Sequence, residues 1–238
     1  MYKQKRCQQL FQEEYMFKAI LFDVDGTFLD VHSIQIVLEK HFPGKGIEAS
    51  KLLRDKQIEY TRLYASRPEG IPYENFMSLT RSAVEYTIMT FGKNNQSIPV
   101  ADIMSSYQKL NTFPEAVQVL DYIKSKNYNM AVLSNGDSEM LKEVLENSGL
   151  KDKFDTSLSA DSVKSFKIDS QVYKLASDFF ECKPDECLLV SANYWDIIGA
   201  GWNGIKTFWV NRMGSPKDPL GYEPNFEGKS LEELKQVL

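Results

Sequence analysis

The stretch MFKAILFDVDGT, residues 16–27, decides the fold. Its apolar half reads as a buried parallel strand, because the run is nearly continuous and does not alternate with polar residues. It ends in two carboxylates, Asp23 and Asp25, two positions apart, with Gly26 and Thr27 next. Two anions so close at a strand end signal a shared chemical task. In one reading Asp23 attacks phosphorus and Asp25 passes a proton. In the other Asp23 attacks carbon and Asp25 is a local variation.

Outward from this strand the pattern becomes helical from Ser33 to about Leu110. Leu53, Tyr60 and Tyr64 fall on one helical face, as do Phe76, Leu79, Ala83, Val84 and Phe91, with Gly92 as a stop. A third helix is expected from Val100 to Leu110, and no strand signal interrupts the block. Beyond it strands and helices alternate: a helix from Pro114, the strand NMAVLSNG, a helix capped by Ser138 and stopped at Gly149, and a short strand near TSLSA. Then come the helix DSQVYKLASDFF, the strand ECLLVSAN, a helix from about Asp196, the strand KTFWVN, and a final helix SLEELKQVL with Ser230 and Glu233 as a capping box. Such alternation predicts an α/β fold with a Rossmann-like, doubly wound parallel sheet and an inserted all-helical cap. The expected division is a discontinuous core, residues 16–32 and 111–238, a helical cap at 33–110, and an N-terminal extension at 1–15.

Composition narrows the function classes. The chain has 238 residues, 42% of them hydrophobic, and a formal net charge of −5, which argues against a nucleic-acid partner. A small anionic substrate then needs local cations, since the overall field gives no help. The apolar runs are too short to span a membrane, and no secretory signal is visible. Three cysteines, Cys7, Cys182 and Cys187, predict reduced thiols in the cytoplasm. Neither His32 nor His41 accompanies a serine nucleophile motif, which argues against a Ser-His-Asp hydrolase.

In doubly wound sheets ligands bind beyond the carboxyl ends of the strands. The strand ends supply Asp23, then Ser134 and Asn135, then Lys167, then Asn193 and Asp196. Singly, each has an ordinary structural reading as a cap, a turn residue or a surface charge. Their agreement at one edge is what points to a site.

These residues resemble the four motifs of the haloacid dehalogenase (HAD) superfamily: Asp23 in FDVDGT, Ser134 in LSNG, Lys167, and Asp196 in SANYWD. The resemblance covers nearly the whole chain from Met16 and narrows to the L-2-haloacid dehalogenases. FLDVHS, the string LLRDKQIEYT around Arg54, KIDSQVYKLA with Ile168 in place of the family proline, and VSANYWDIIGAG are similar to segments of that branch. The resemblance implies that Asp23 displaces halide from the α-carbon, that water cleaves the resulting ester, and that configuration inverts. Two unit charges 4 Å apart repel by about 4 kcal/mol at an effective dielectric near 20, so the substrate carboxylate needs donors. Ser134, Asn135 and the helix start near Ser138 would hold it. Lys167 would sit between carboxylates and Arg54 would meet the halide. Asn193 would add a donor, and Trp195 and Phe76 apolar wall. Asp196 would fix Lys167 or orient water, while Thr27, Tyr173 and Ser191 match further polar positions of the family site. No cofactor is implied; relatives are commonly dimers, so the resemblance allows a homodimer, while the sequence itself does not fix the oligomeric state.

Asp25 departs from this pattern. The dehalogenases typically carry Tyr there, whereas HAD phosphatases carry Asp as general acid and base. The alternative is therefore a phosphatase for a small phosphate ester, with Mg²⁺ held by Asp23, the Asp25 carbonyl and Asp196.

Overall fold

In the computed structural model residues 17–92, 98–107 and 109–238 are described. The expected N-terminal extension, residues 1–15, lies outside them. Strand β1 (Ala19–Phe22) is buried on both faces, as its unbroken apolar run requires. After it, the backbone turns at Gly26, whose φ of +83° favours glycine. Three successive N–H groups, of Thr27, Phe28 and Leu29, donate to the Val24 carbonyl in that turn.

The chain continues through β2 (Leu29–Asp30), a short 3-10 turn, and helices α1 (Gln35–His41), α2 (Gly46–Ala65), α3 (Phe76–Phe91) and α4 (Val100–Tyr107). It returns through β3 (Asn111–Thr112), which pairs antiparallel with β2. This two-residue ribbon has no sequence periodicity and was not expected. The four helices share their own apolar cluster, including Leu38, Leu53, Val84, Ile103 and Tyr107. They form the helical cap.

The remainder is α5 (Ala116–Ser125), β4 (Asn129–Ser134), α6 (Ser138–Asn147), β5 (Thr156–Ser159), α7 (Ser170–Phe180), β6 (Cys187–Ser191), α8 (Tyr194–Trp202), β7 (Lys206–Val210) and β8 (Phe226–Gly228). Six strands form one sheet in the order β5-β4-β1-β6-β7-β8, and every pairing is parallel. Strand side chains alternate between faces. Ile20, Phe22, Val132 and Val190 therefore join α5 and α6 on one side. Ala19, Leu21, Leu133 and Leu189 join α7 and Ala200 of α8 on the other. The sheet is doubly wound, and all its parallel strands end at one edge.

Local expectations fail where capping chemistry decides. The cap of α6 is Asp137, whose carboxylate accepts from Met140 N, and not Ser138. Helix α5 begins at Ala116, two residues after Pro114. The C-terminal segment is a 3-10 helix, Leu231–Gln236, in which Ser230 makes no side-chain cap bond. Glu233 accepts from Lys229 N instead, so the capping box is not formed. Among the described residues no helix is long and apolar enough to cross a membrane.

Candidate active site

Asp23 stands one residue past β1 at the carboxyl edge of the sheet, 5% exposed. Its Oδ1 accepts from Lys167 Nζ at 3.0 Å. Its Oδ2 accepts from Asn193 Nδ2 at 2.7 Å and from the hydroxyls of Thr27 and Ser191 at 3.3 Å each. Both hydroxyl oxygens also accept backbone N–H groups, Thr27 from Ala192 and Ser191 from Asn193. Those bonds leave the hydroxyl protons aimed at Asp23. The cradle is assembled from β1, β6 and the turn between β6 and α8, which sheet order makes neighbours.

Lys167 is 1% exposed and bridges Asp23 to Asp196, at 2.8 Å from Asp196 Oδ2. Asp196 Oδ1 accepts from the Tyr173 hydroxyl at 2.8 Å, so both of its oxygens are engaged. Burial alone lowers the pKa of Lys167, but the two carboxylates more than reverse this and hold it above its ordinary value. Burial pushes Asp196 up, against the opposing effect of Lys167. Tyr173 is also pushed well up, by burial and then by Asp196. Helix α8 can lie this close to Tyr173 because position 199 is glycine: a Cβ there would stand 2.5 Å from the Tyr173 hydroxyl. The backbone N–H of Lys167 donates to Asn135 Oδ1 at 2.7 Å, which ties the lysine loop to the end of β4.

Above Asp23 the cap closes over a cavity of about 20 Å³, room for about one water. Asp23, Asp25, Ser134, Asn135 and Trp195 line it from the core, and Arg54, Ile58, Thr61 and Phe76 from the cap. Arg54 Nη1 donates to Asp25 Oδ2 at 3.0 Å and to Gln57 Oε1 at 2.6 Å. Gln57 passes the chain on to Thr80 Oγ1 of α3 at 2.8 Å. Burial raises the pKa of Asp25, Arg54 lowers it, and the Asp23 charge adds a smaller upward push. On the outer side Trp195 lies under the guanidinium of Arg62, 5.7 Å from the ring centroid.

The sequence-predicted residues thus fall into two groups. Asp23, Arg54, Ser134, Asn135, Trp195 and Phe76 border the cavity. Thr27, Lys167, Ser191, Asn193 and Asp196 lie in the bonded network around and behind Asp23. Tyr173 is not in the cavity wall and bonds Asp196 instead. The helix start beside Ser134 already carries the Asp137 carboxylate, so it offers a substrate anion less than expected. Gln57, Ile58 and Thr61 were missed. Their spacing of three, four and seven from Arg54 puts them on one helical face, a signal that was legible.

The alternative Mg²⁺ set does not suit these residues. The ammonium of Lys167 lies between Asp23 and Asp196. The Asp25 carbonyl accepts from Asn193 Nδ2 at 2.8 Å. A cation and an amide donor stand where a hard ion would need oxygen ligands.

Known proteins are similar along nearly the whole chain. The family model of haloacid dehalogenase-like hydrolases matches residues 17–204. The (S)-2-haloacid dehalogenase of Pseudomonas sp. (strain YL) is 35% identical over 92% of this chain and 94% of its own length. The crystal structure of the L-2-haloacid dehalogenase RSc1362 superposes with a TM-score of 0.88 at 36% identity, covering 92% of this chain and 97% of that one. The Xanthobacter autotrophicus L-2-haloacid dehalogenase with chloropropionic acid covalently bound gives 0.84 at 30% identity, covering 93% and 98%. With its sheet, its inserted helices and its cradled Asp23, the chain belongs to the haloacid dehalogenase-like hydrolase family.

Proposed function

We propose that the protein hydrolyses small L-2-haloacids to 2-hydroxy acids and halide through an ester on Asp23. The observation that carries this reading is the asymmetric cradle of Asp23. Oδ2 has three neutral donors, whereas Oδ1 has one bond, to Lys167. Oδ1 is the attacking atom: it displaces halide from the α-carbon, and the C–halogen electron pair leaves with the halide. Oδ2 becomes the ester carbonyl oxygen. Asn193, Thr27 and Ser191 then stabilise the oxyanion formed when water attacks the ester carbon. Asp196, with both oxygens taken, fixes Lys167 rather than orienting water. Ser134 and Asn135 receive the substrate carboxylate, and the free edge of the Arg54 guanidinium receives the halide. Phe76 and Trp195 keep the pocket dry.

In this reading residues 33–110 form the cap that admits substrate, and 16–32 with 111–238 the core. The reaction uses no metal, and the site of action is the cytoplasm, which suits the free thiols of Cys182 and Cys187. A homodimer follows the habit of relatives, and sedimentation of the pure protein tests it.

The deciding experiment offers both 2-chloropropionate enantiomers and p-nitrophenyl phosphate, each with EDTA or Mg²⁺. The L-enantiomer alone should release chloride, at a rate indifferent to EDTA, and Asp23→Asn should abolish the release. Mg²⁺-dependent phosphate release without chloride release would overturn the reading in favour of phosphoryl transfer.

A further inference from the structure

Both cations of the site are already paired. Arg54 is the only basic side chain among the described residues that line the cavity, and Asp25 holds its Nη1 at 3.0 Å. Lys167 is shared by Asp23 and Asp196. Three carboxylates therefore face two cations before any substrate arrives. At the substrate's carbonyl end the donors are the neutral side chains Ser134 and Asn135. The adjacent helix start is capped by another anion, Asp137.

A 2-haloacid brings a further negative charge into this arrangement and finds no unpaired cation on the cavity wall. A 2-haloamide of the same shape brings none. A hydroxyl and a carboxamide N–H serve an amide carbonyl as well as a carboxylate oxygen; Asn135 Oδ1 already accepts from Lys167 N, which leaves its second lone pair for an amide N–H. The only charge that then develops is the departing halide, which the remaining Arg54 N–H groups can meet.

We propose that the protein also dehalogenates uncharged 2-haloamides, and that Asp25 is the residue that sets its preference between amide and acid. The inference rests on the dehalogenase reading above. Asp23 Oδ1 forms a bond to the α-carbon as the C–Cl bond breaks and chloride leaves with its electron pair. Water then cleaves the aspartyl ester. The products are a 2-hydroxyamide, chloride and one proton, and the Asp23 carboxylate is restored.

The test measures chloride release by the full chain from 2-chloropropionamide and from L-2-chloropropionate. Asp23→Asn serves as the blank for thiol alkylation by the amide. Wild type should turn over the amide with a kcat/KM within about tenfold of the acid, and Asp25→Asn should shift the ratio toward the acid by about tenfold or more. Acid turnover with no amide turnover above the blank overturns the proposal, and this comparison needs only the wild type. Amide turnover with an unchanged ratio in Asp25→Asn, or in Asp25→Ser where the first variant does not fold, overturns the role of Asp25. Chloride from neither substrate defeats the dehalogenase reading itself, which separates the two failures.

Discussion

A lysine with 1% of its surface exposed keeps its proton only if its neighbours hold it. Lys167 has two such neighbours, Asp23 at 3.0 Å and Asp196 at 2.8 Å. Because its folded-state pKa lies above 10.5, the stability it contributes is complete below pH 10.5 and is lost as pH rises through the folded value. Replacing it by methionine leaves two buried carboxylates without a cation, and breaking a buried pair in this way costs about 3–5 kcal/mol. Urea unfolding of wild type and Lys167→Met should therefore show a gap of that size that stays level from neutral pH up to 10.5 and narrows only above it. A gap that closes on the acid side of that value would mean that burial outweighs the carboxylates. At this scale the sequence was informative about residue types and silent about partners. Asp23 and Lys167 are 144 positions apart, so only motif resemblance brought them together. The Arg54–Asp25 pair lay beyond reach, because it depends on how the cap docks.

The connectors between core and cap are thin, and one side chain holds them. Arg212, just past β7, donates from Nη2 to the Thr27 carbonyl at 2.7 Å and pairs with Glu115 at 2.6 Å. Its guanidinium lies 3.9 Å from the ring centroid of Phe113. It thus ties the turn after β1 to the segment that follows β3. Charged hydrogen bonds of this kind are worth about 1.5–3 kcal/mol, so Arg212→Ala should lower the melting temperature by roughly 5–10 °C. Arg212→Lys should recover only part of the loss, since an ammonium lacks the planar fork. An Arg212→Ala protein that melts with wild type would show that the ribbon needs no clamp. The elements that sequence reading recovered are those with an extended apolar signature: β1, β4, β6, β7 and the amphipathic faces of α2 and α3. The strands it missed are two or three residues long, β2, β3 and β8, and are defined by what pairs with them; it also resolved three cap helices where there are four, leaving out the seven-residue α1, which buries only Leu38. Capping was misread at α6 because Asp137 and Ser138 are adjacent and both are good caps; the backbone bond to Met140 chose Asp137.

Whole-molecule behaviour follows from the size of the closed cavity. About 20 Å³ holds one water and no haloacid, so the pocket has to widen for substrate to reach Asp23, and separation of cap and core is the motion that widens it directly. That separation breaks a few polar ties and unpacks Phe76 and Leu79 of α3, and Tyr73, from the core cluster, where Tyr73 stacks on Phe166 at 5.4 Å. Arg54 reaches Asp25 from the cap, Arg67 Nη2 donates to the Lys164 carbonyl at 3.0 Å, and the β2–β3 ribbon spans two residue pairs. The core sheet, by contrast, buries β1, β6 and all but the first residue of β4, and opens only with the whole fold. Amide hydrogen exchange should therefore divide the molecule. Peptides covering residues 28–31 and 110–113 should exchange much faster than those covering β1, β4 and β6. Saturating L-2-chloropropionate added to the Asp23→Asn protein, which on the proposed mechanism should bind without turnover, should slow the ribbon peptides and leave the core strands unchanged, because a bound acid biases the cap toward closure. Equal protection of ribbon and core strands in the free protein would mean that the closed form does not open on this timescale. Substrate would then have to enter past Trp195 and Arg62, and the cap would be a fixed wall rather than a moving one.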